Sequence, residues 1–139
     1  MPRKNINISD KIETLSILDE HGKLDEDLEP DIPEDELIKL LRGMLLGRKF
    51  DERMLNLQRQ GRIGTFAPIS GQEAAQIGAI ALLRSSDWMV PAFRETAAEI
   101  WRGRSLESVI IYNSGYWEGA QVPENLNNLP ISVPVGSQI

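Results

Sequence analysis

A run of apolar residues between Leu37 and Leu57 constrains this chain more than any other feature. Leu37, Leu40, Leu41, Met44, Leu45, Phe50, Met54 and Leu57 broadly follow a three-and-four spacing, which lines them along one side of an α-helix. Pro33 suits the first turn, and Glu34, Asp35 and Glu36 complement the positive end of the helix dipole. Gly61 and Arg62 supply the stop. About 28 residues at a rise of ~1.5 Å each make a rod of roughly 40 Å. That is long for a chain of 139 residues. Such a helix needs a large partner surface, and this chain offers little of one.

Charge is divided unevenly. Residues 1–36 hold twelve acids against four bases, and the remainder holds nine acids against eleven bases. The net charge of −6 therefore belongs to an acidic N-terminal segment, and no basic surface for nucleic acid is implied. The absence of cysteine excludes disulfides and thiolate metal sites and fits a reducing cytoplasm. The start lacks a secretory apolar stretch, and no run approaches the roughly 20 apolar residues of a membrane helix. His21, the only histidine, sits beside Gly22 and reads as a solvated turn residue.

Around that long helix the other elements are shorter. Leu15 and Ile17 alternate before the His21-Gly22 turn and predict a short hairpin. "ISGQEAAQIGAIALLRSSD" predicts a helix opened by a capping box, with Ser70 three residues before Glu73. Gly71, Ala74, Ala75, Gly78, Ala79 and Ala81 then place small residues along it. Glycine inside a helix costs about 1 kcal/mol against alanine, so something is expected to approach this backbone. A tightly packed core and a contact with another subunit both fit. "WMVPAFRET" predicts a short buried strand from Trp88 to Phe93 that ends at Arg94. An arginine just beyond a strand can bind a phosphate in bidentate fashion; spacing alone slightly favours a salt bridge to a nearby acid. Helices are predicted at 95–102 and 105–113. The stretch "SGYWEGAQVPENLNNLP" has no period and reads as loop, with Tyr116 and Trp117 partly buried.

"LNLQRQGRIGTFAPISGQEAAQIG", "VPAFRE" and "GAQVPENLNNLPISVPVGSQI", in that order, resemble the alpha subunits of thiamine-diphosphate-dependent 2-oxo acid dehydrogenases. More narrowly, they resemble the pyruvate dehydrogenase alpha subunits of bacteria. The resemblance runs from about Leu15 to Ile139. It implies an α/β parent fold, the thiamine-diphosphate-binding fold. This N-terminal portion is expected to be predominantly α, with one or two short strands near 15–18 and 88–92. It also implies two regions: an acidic segment over 1–32, and the N-terminal part of the dehydrogenase domain over 33–139. In the family the loop matching "ISVPVGSQI" leads to a helix and then to G-D-G and N-N residues that hold Mg²⁺ and the cofactor diphosphate. The chain is thus expected to be cut inside the cofactor site, about one third of the way along.

The resemblance implies roles residue by residue. Phe93 and Arg94 match a Tyr-Arg pair at the diphosphate, with the tyrosine hydroxyl missing here. Val133 and Val135 match the loop that holds the aminopyrimidine ring, largely through backbone groups. Ser132, Pro134, Ser137 and Gln138 match positions that bind a potassium ion in branched-chain members. Phe66 falls where the family lines its substrate pocket. Tyr116 and Glu118 stand where close bacterial relatives have histidines. The implied activity is decarboxylation of pyruvate with reductive acetylation of a lipoyl group. The implied partners are a beta subunit, a lipoyl-bearing acyltransferase component and, for a split gene, a complementary polypeptide with the rest of the alpha subunit. Alternatives are a branched-chain 2-oxo acid dehydrogenase fragment, a non-catalytic remnant docking on a beta subunit, and an unrelated helical protein.

Overall fold

Helix α1 (Glu34–Arg59) is the spine of the molecule. The computed structural model describes residues 15–84 and 86–120. The chain divides into two units, Met1–Ile32 and Pro33–Ile139. Pro33 is the residue before α1 rather than part of its first turn, and its carbonyl accepts from Glu36 and Leu37, both at 3.0 Å. The stop at Gly61 follows from backbone geometry. Gly61 has φ +67°, its N–H donates to Gln58, and the Arg62 N–H donates back to Leu57. This pairing satisfies carbonyls that the helix end leaves open, and glycine accepts the left-handed conformation without strain.

Three short helices pack against or follow the spine: α2 (Glu73–Ala81), α3 (Thr96–Trp101) and α4 (Leu106–Asn113). A 3₁₀ turn, Trp117–Ala120, closes the described part. Phe50, Met54 and Leu57 of α1 form one core with Ile63, Phe66 and Val109. Ile69, Ile77 and Ala97 form a second, flanked by Leu40, Met44 and Trp101. Gly43 and Gly47 permit that second core. A Cβ on Gly43 would lie 2.7 Å from the Trp101 ring, and one on Gly47 would lie 3.0 Å from the Ala97 Cβ. The helix-propensity cost of two glycines is thereby offset by close packing of α1 on α3.

Each short helix is held by one identifiable cap or ion pair. Ser105 accepts from the Ser108 N–H as the N-cap of α4. α3 has no cap of its own. Its open N–H groups are met by Gln76 of α2, whose Oε1 accepts from Ala97 at 3.1 Å and Ala98 at 3.4 Å. Glu99 and Arg104 form a buried ion pair, and Arg104 also donates to the Gly119 carbonyl at 3.1 Å. Burial pushes the Glu99 carboxyl up, and Arg104 pulls it back.

Several expectations need correction. The capping box does not form: α2 begins at Glu73, with Gln72 as N-cap and no side-chain cap bond. Gly71 takes φ +90° and lies outside the helix, so Ser70 is too far from the helix start to cap it. The strand over 88–93 reduces to one bridge-paired residue, Met89. Met89 and Pro91 are buried, whereas Trp88, Val90 and Phe93 are exposed, so only one face of the segment is covered. The hairpin is likewise a single antiparallel bridge, Leu18 to Leu24, around a turn in which Asp19 accepts from the His21 and Lys23 N–H groups. The loop after Asn113 contains the 3₁₀ turn, because Gly119 lets it lie directly on the Tyr112 backbone. Tyr116 and Trp117 are exposed at 64% and 68%, not partly buried. No helix among the described residues is long and apolar enough to cross a membrane.

Candidate functional site

The Gly61–Gln72 connection between α1 and α2 is held by side chains from the helices around it. Gln58 accepts from the Phe66 N–H at 3.2 Å. Asp51, 1% exposed on the inner face of α1, accepts from the Ile69 N–H at 2.8 Å. Its second oxygen, Oδ2, is buried with only the Ser70 backbone near it and no hydrogen bond of good geometry. Burial raises the Asp51 carboxyl above its ordinary range, and the backbone bond to Ile69 opposes this. Glu73 accepts from Arg48 (Nη2 to Oε2, 2.9 Å) and from the Gly71 N–H (2.9 Å). The Arg48 hydrogen bond, the largest cause, holds the Glu73 carboxyl at about 2.

Arg94 is fixed from three sides. Its carbonyl accepts from Gln76 Nε2 at 2.8 Å, and its N–H donates to the Glu95 carboxylate at 3.2 Å. Its guanidinium donates to the Pro68 carbonyl at 3.0 Å and stacks 5.3 Å from the Phe93 ring. No carboxylate among the described residues lies within ion-pair distance of that guanidinium. The salt bridge that spacing allowed is therefore not formed within this part of the chain. A groove of about 450 Å³ runs between α2 and residues 88–91, lined by Gln76, Ala79, Leu83, Trp88, Val90 and Glu95. Its wall is mostly apolar, with an amide and a carboxylate adjoining the Arg94 backbone.

Of the residues singled out from sequence, Phe93 and Arg94 lie together. Phe93 is exposed at 66%, its ring under the arginine. Phe66 is buried at 5% in the first core, below the loop that reaches Pro68. Val133, Val135, Ser132, Pro134, Ser137 and Gln138 lie outside the described residues. No group of three or more metal-ligating side chains occurs among the described residues. Sequence reasoning passed over Asp51, Gln76 and the Arg48–Glu73 pair. Asp51 did carry a signal: with Gly47, Phe50 and Met54 it falls on the buried stripe of α1, where an acid is out of place.

Among the described residues the Arg94 guanidinium thus meets the Pro68 carbonyl and the Phe93 ring, and no carboxylate. The model of the dehydrogenase E1 component family matches residues 41–138, and the chain belongs to that family. It is 38% identical over 129 residues to the pyruvate dehydrogenase E1 component subunit alpha of Staphylococcus epidermidis. It is 37% identical over the same length to the protein of that name from Staphylococcus aureus. Each alignment covers 92% of this chain and 35% of the relative. The chain thus spans about a third of the length of the curated relatives it matches.

Proposed function

We propose that this chain is the N-terminal part of a pyruvate dehydrogenase alpha subunit that works with thiamine diphosphate. The whole enzyme would decarboxylate pyruvate and reductively acetylate a lipoyl group on an acyltransferase component. One observation carries the reading. Arg94 presents a guanidinium that no carboxylate among the described residues neutralises, on a backbone pinned by Gln76 and Glu95. That arrangement fits a diphosphate, because a charge-assisted contact gains most where the cation is already aimed and unpaired. The family match and the names of the relatives support pyruvate as the substrate.

When bound, thiamine diphosphate supplies the electron sink for loss of carbon dioxide. Arg94 contributes charge to the diphosphate end. Phe93 stacks on Arg94 and narrows its rotamers, and it offers no hydroxyl of its own. Val133 and Val135 are assigned to the aminopyrimidine ring, and Ser132, Pro134, Ser137 and Gln138 to a potassium ion. Phe66 is assigned to the apolar wall of the substrate pocket. Mg²⁺ is assigned as the metal partner of the diphosphate. An alpha₂beta₂ assembly in the cytoplasm is the setting we assign, with residues 1–32 as an acidic lead-in to the enzyme part over 33–139. By themselves the 139 residues are expected to be inactive.

The test is Arg94→Ala in a complex reconstituted with the remaining alpha-subunit sequence and a beta subunit. Loss of a charge-assisted contact of about 1.5–3 kcal/mol predicts thiamine diphosphate binding weaker by roughly ten- to a hundredfold, with assembly intact. Unchanged cofactor affinity together with a complex that falls apart would mean that Arg94 only ties down the Pro68 loop.

A further inference from the structure

We propose that Asp51 is a positioning residue for Arg94, acting through the single peptide group between Pro68 and Ile69. This rests on the reading of Arg94 as the diphosphate arginine. The N–H of that peptide donates to Asp51 Oδ1 at 2.8 Å, and its carbonyl accepts from Arg94 Nη1 at 3.0 Å. A peptide group is rigid and planar, so its two polar ends turn together. A carboxylate that fixes the N–H from below α1 therefore also fixes the direction in which the carbonyl meets the guanidinium above. Three features show that this linkage is held rather than loose. The Ile69 side chain is 1% exposed in the second core, Asp51 is 1% exposed, and the Arg94 backbone is separately clamped by Gln76.

A loop staple alone does not call for an acid. One oxygen of Asp51 makes the Ile69 bond, while the other is buried with only the Ser70 backbone near it and no hydrogen bond of good geometry. Leaving a buried carboxylate half-satisfied costs free energy that an asparagine would partly spare. What the negative charge adds is polarisation. A peptide whose N–H binds a carboxylate has a more electron-rich carbonyl, and hydrogen bonds in such a chain strengthen one another. The Pro68 carbonyl is then a better holder of a guanidinium that would otherwise swing in solvent. Departures from local economy of this kind concentrate where function constrains the site.

The experiment is a double-mutant cycle on thiamine diphosphate affinity in the assembled complex, using Asp51→Ala, Arg94→Ala and the pair. Coupling through the peptide predicts that Asp51→Ala weakens binding about three- to tenfold in the Arg94 background and has no effect once Arg94 is alanine. An equal factor in both backgrounds would overturn the proposal and leave Asp51 as a staple. Asp51→Asn keeps an acceptor for Ile69 without the charge and should give an intermediate loss; wild-type affinity there would refute the role of the charge. A crystal structure of Asp51→Ala, which removes the acceptor for the Ile69 N–H, separates this proposal from the cofactor reading. If Arg94→Ala does not change cofactor affinity, the cofactor reading fails. The linkage itself fails if Arg94 still donates to Pro68 with unchanged geometry in the Asp51 variant.

Discussion

The two halves of α1 are built from the same kinds of residue and meet different surroundings. From Gly47 to Arg59 the helix buries Phe50, Asp51, Met54 and Leu57 and turns Lys49, Glu52, Arg53 and Arg59 to solvent. From Glu34 to Leu46 it packs Leu40 and Met44 near Trp101, yet leaves Leu37, Ile38, Leu41, Leu45 and Leu46 between 44% and 53% exposed. A helix with one apolar stripe is a surface helix; one apolar on several sides is ordinarily enclosed. Among the described residues the C-terminal half is therefore covered along its apolar stripe, and the N-terminal half is left with apolar side chains exposed. A shared periodicity tells which residues lie on which side of a helix. It does not tell how many sides are covered.

The contrast can be broken by substitution. The largest effect is expected from Met54→Ala, at a residue with no exposed surface. Removing it leaves a cavity in the first core and should cost about 2–5 kcal/mol in denaturant unfolding. A loss no greater than that at an exposed leucine would show that the C-terminal half is not the better-packed one.

A smaller effect is expected at the junction of the halves, where Arg48 meets Glu73. Glu73 has its pKa lowered from 4.5 to about 2, so its contribution is present above about pH 4.5 and is lost as pH falls towards 2. Asp51 and Glu99 have raised values and shift stability the opposite way, gaining on acidification. Glu73→Gln should therefore lower Tm by a few degrees at neutral pH, and the gap to wild type should close across that acid window. A gap that persists at pH 2 would show that Glu73 acts by packing rather than charge. The smallest effect is expected from Leu41→Ala, at 52% exposure. It should shift the stability of this chain by about 0.5 kcal/mol or less. A large loss would mean that the N-terminal half is covered after all.

Legibility in the sequence followed the range of the interactions. The limits of α1, its stop at Gly61 and the positions of α3 and α4 were readable, since each rests on bonds within a few residues. The Ser70–Glu73 capping box was misread because Glu73 is also courted from outside. Arg48, 25 residues away, takes the Glu73 carboxylate, and the turn at Gly71 moves the helix start. The strand at 88–93 has sequence suited to pairing, but pairing needs neighbours that spacing cannot supply. Arg94 was readable as a candidate; its partner was not. Spacing allowed an acid, and the fold supplies the Pro68 carbonyl, 26 residues away.

By itself the sequence determined the long helix, the lack of thiol chemistry and the family likeness. Each is carried by local periodicity or by ordered motifs along one strip of chain. The close approach that the sequence suggested along α2 is not found among the described residues, where nothing lies within 4 Å of a Cβ placed at Gly71 or Gly78. Only the tertiary structure decided that Gly43 faces Trp101, that Gln76 caps a helix other than its own, and that one peptide group joins Asp51 to Arg94. The reason is physical. A side chain's periodicity fixes its direction on its own element, whereas its partner depends on how separate elements are brought together by burial, which has no fixed sequence spacing.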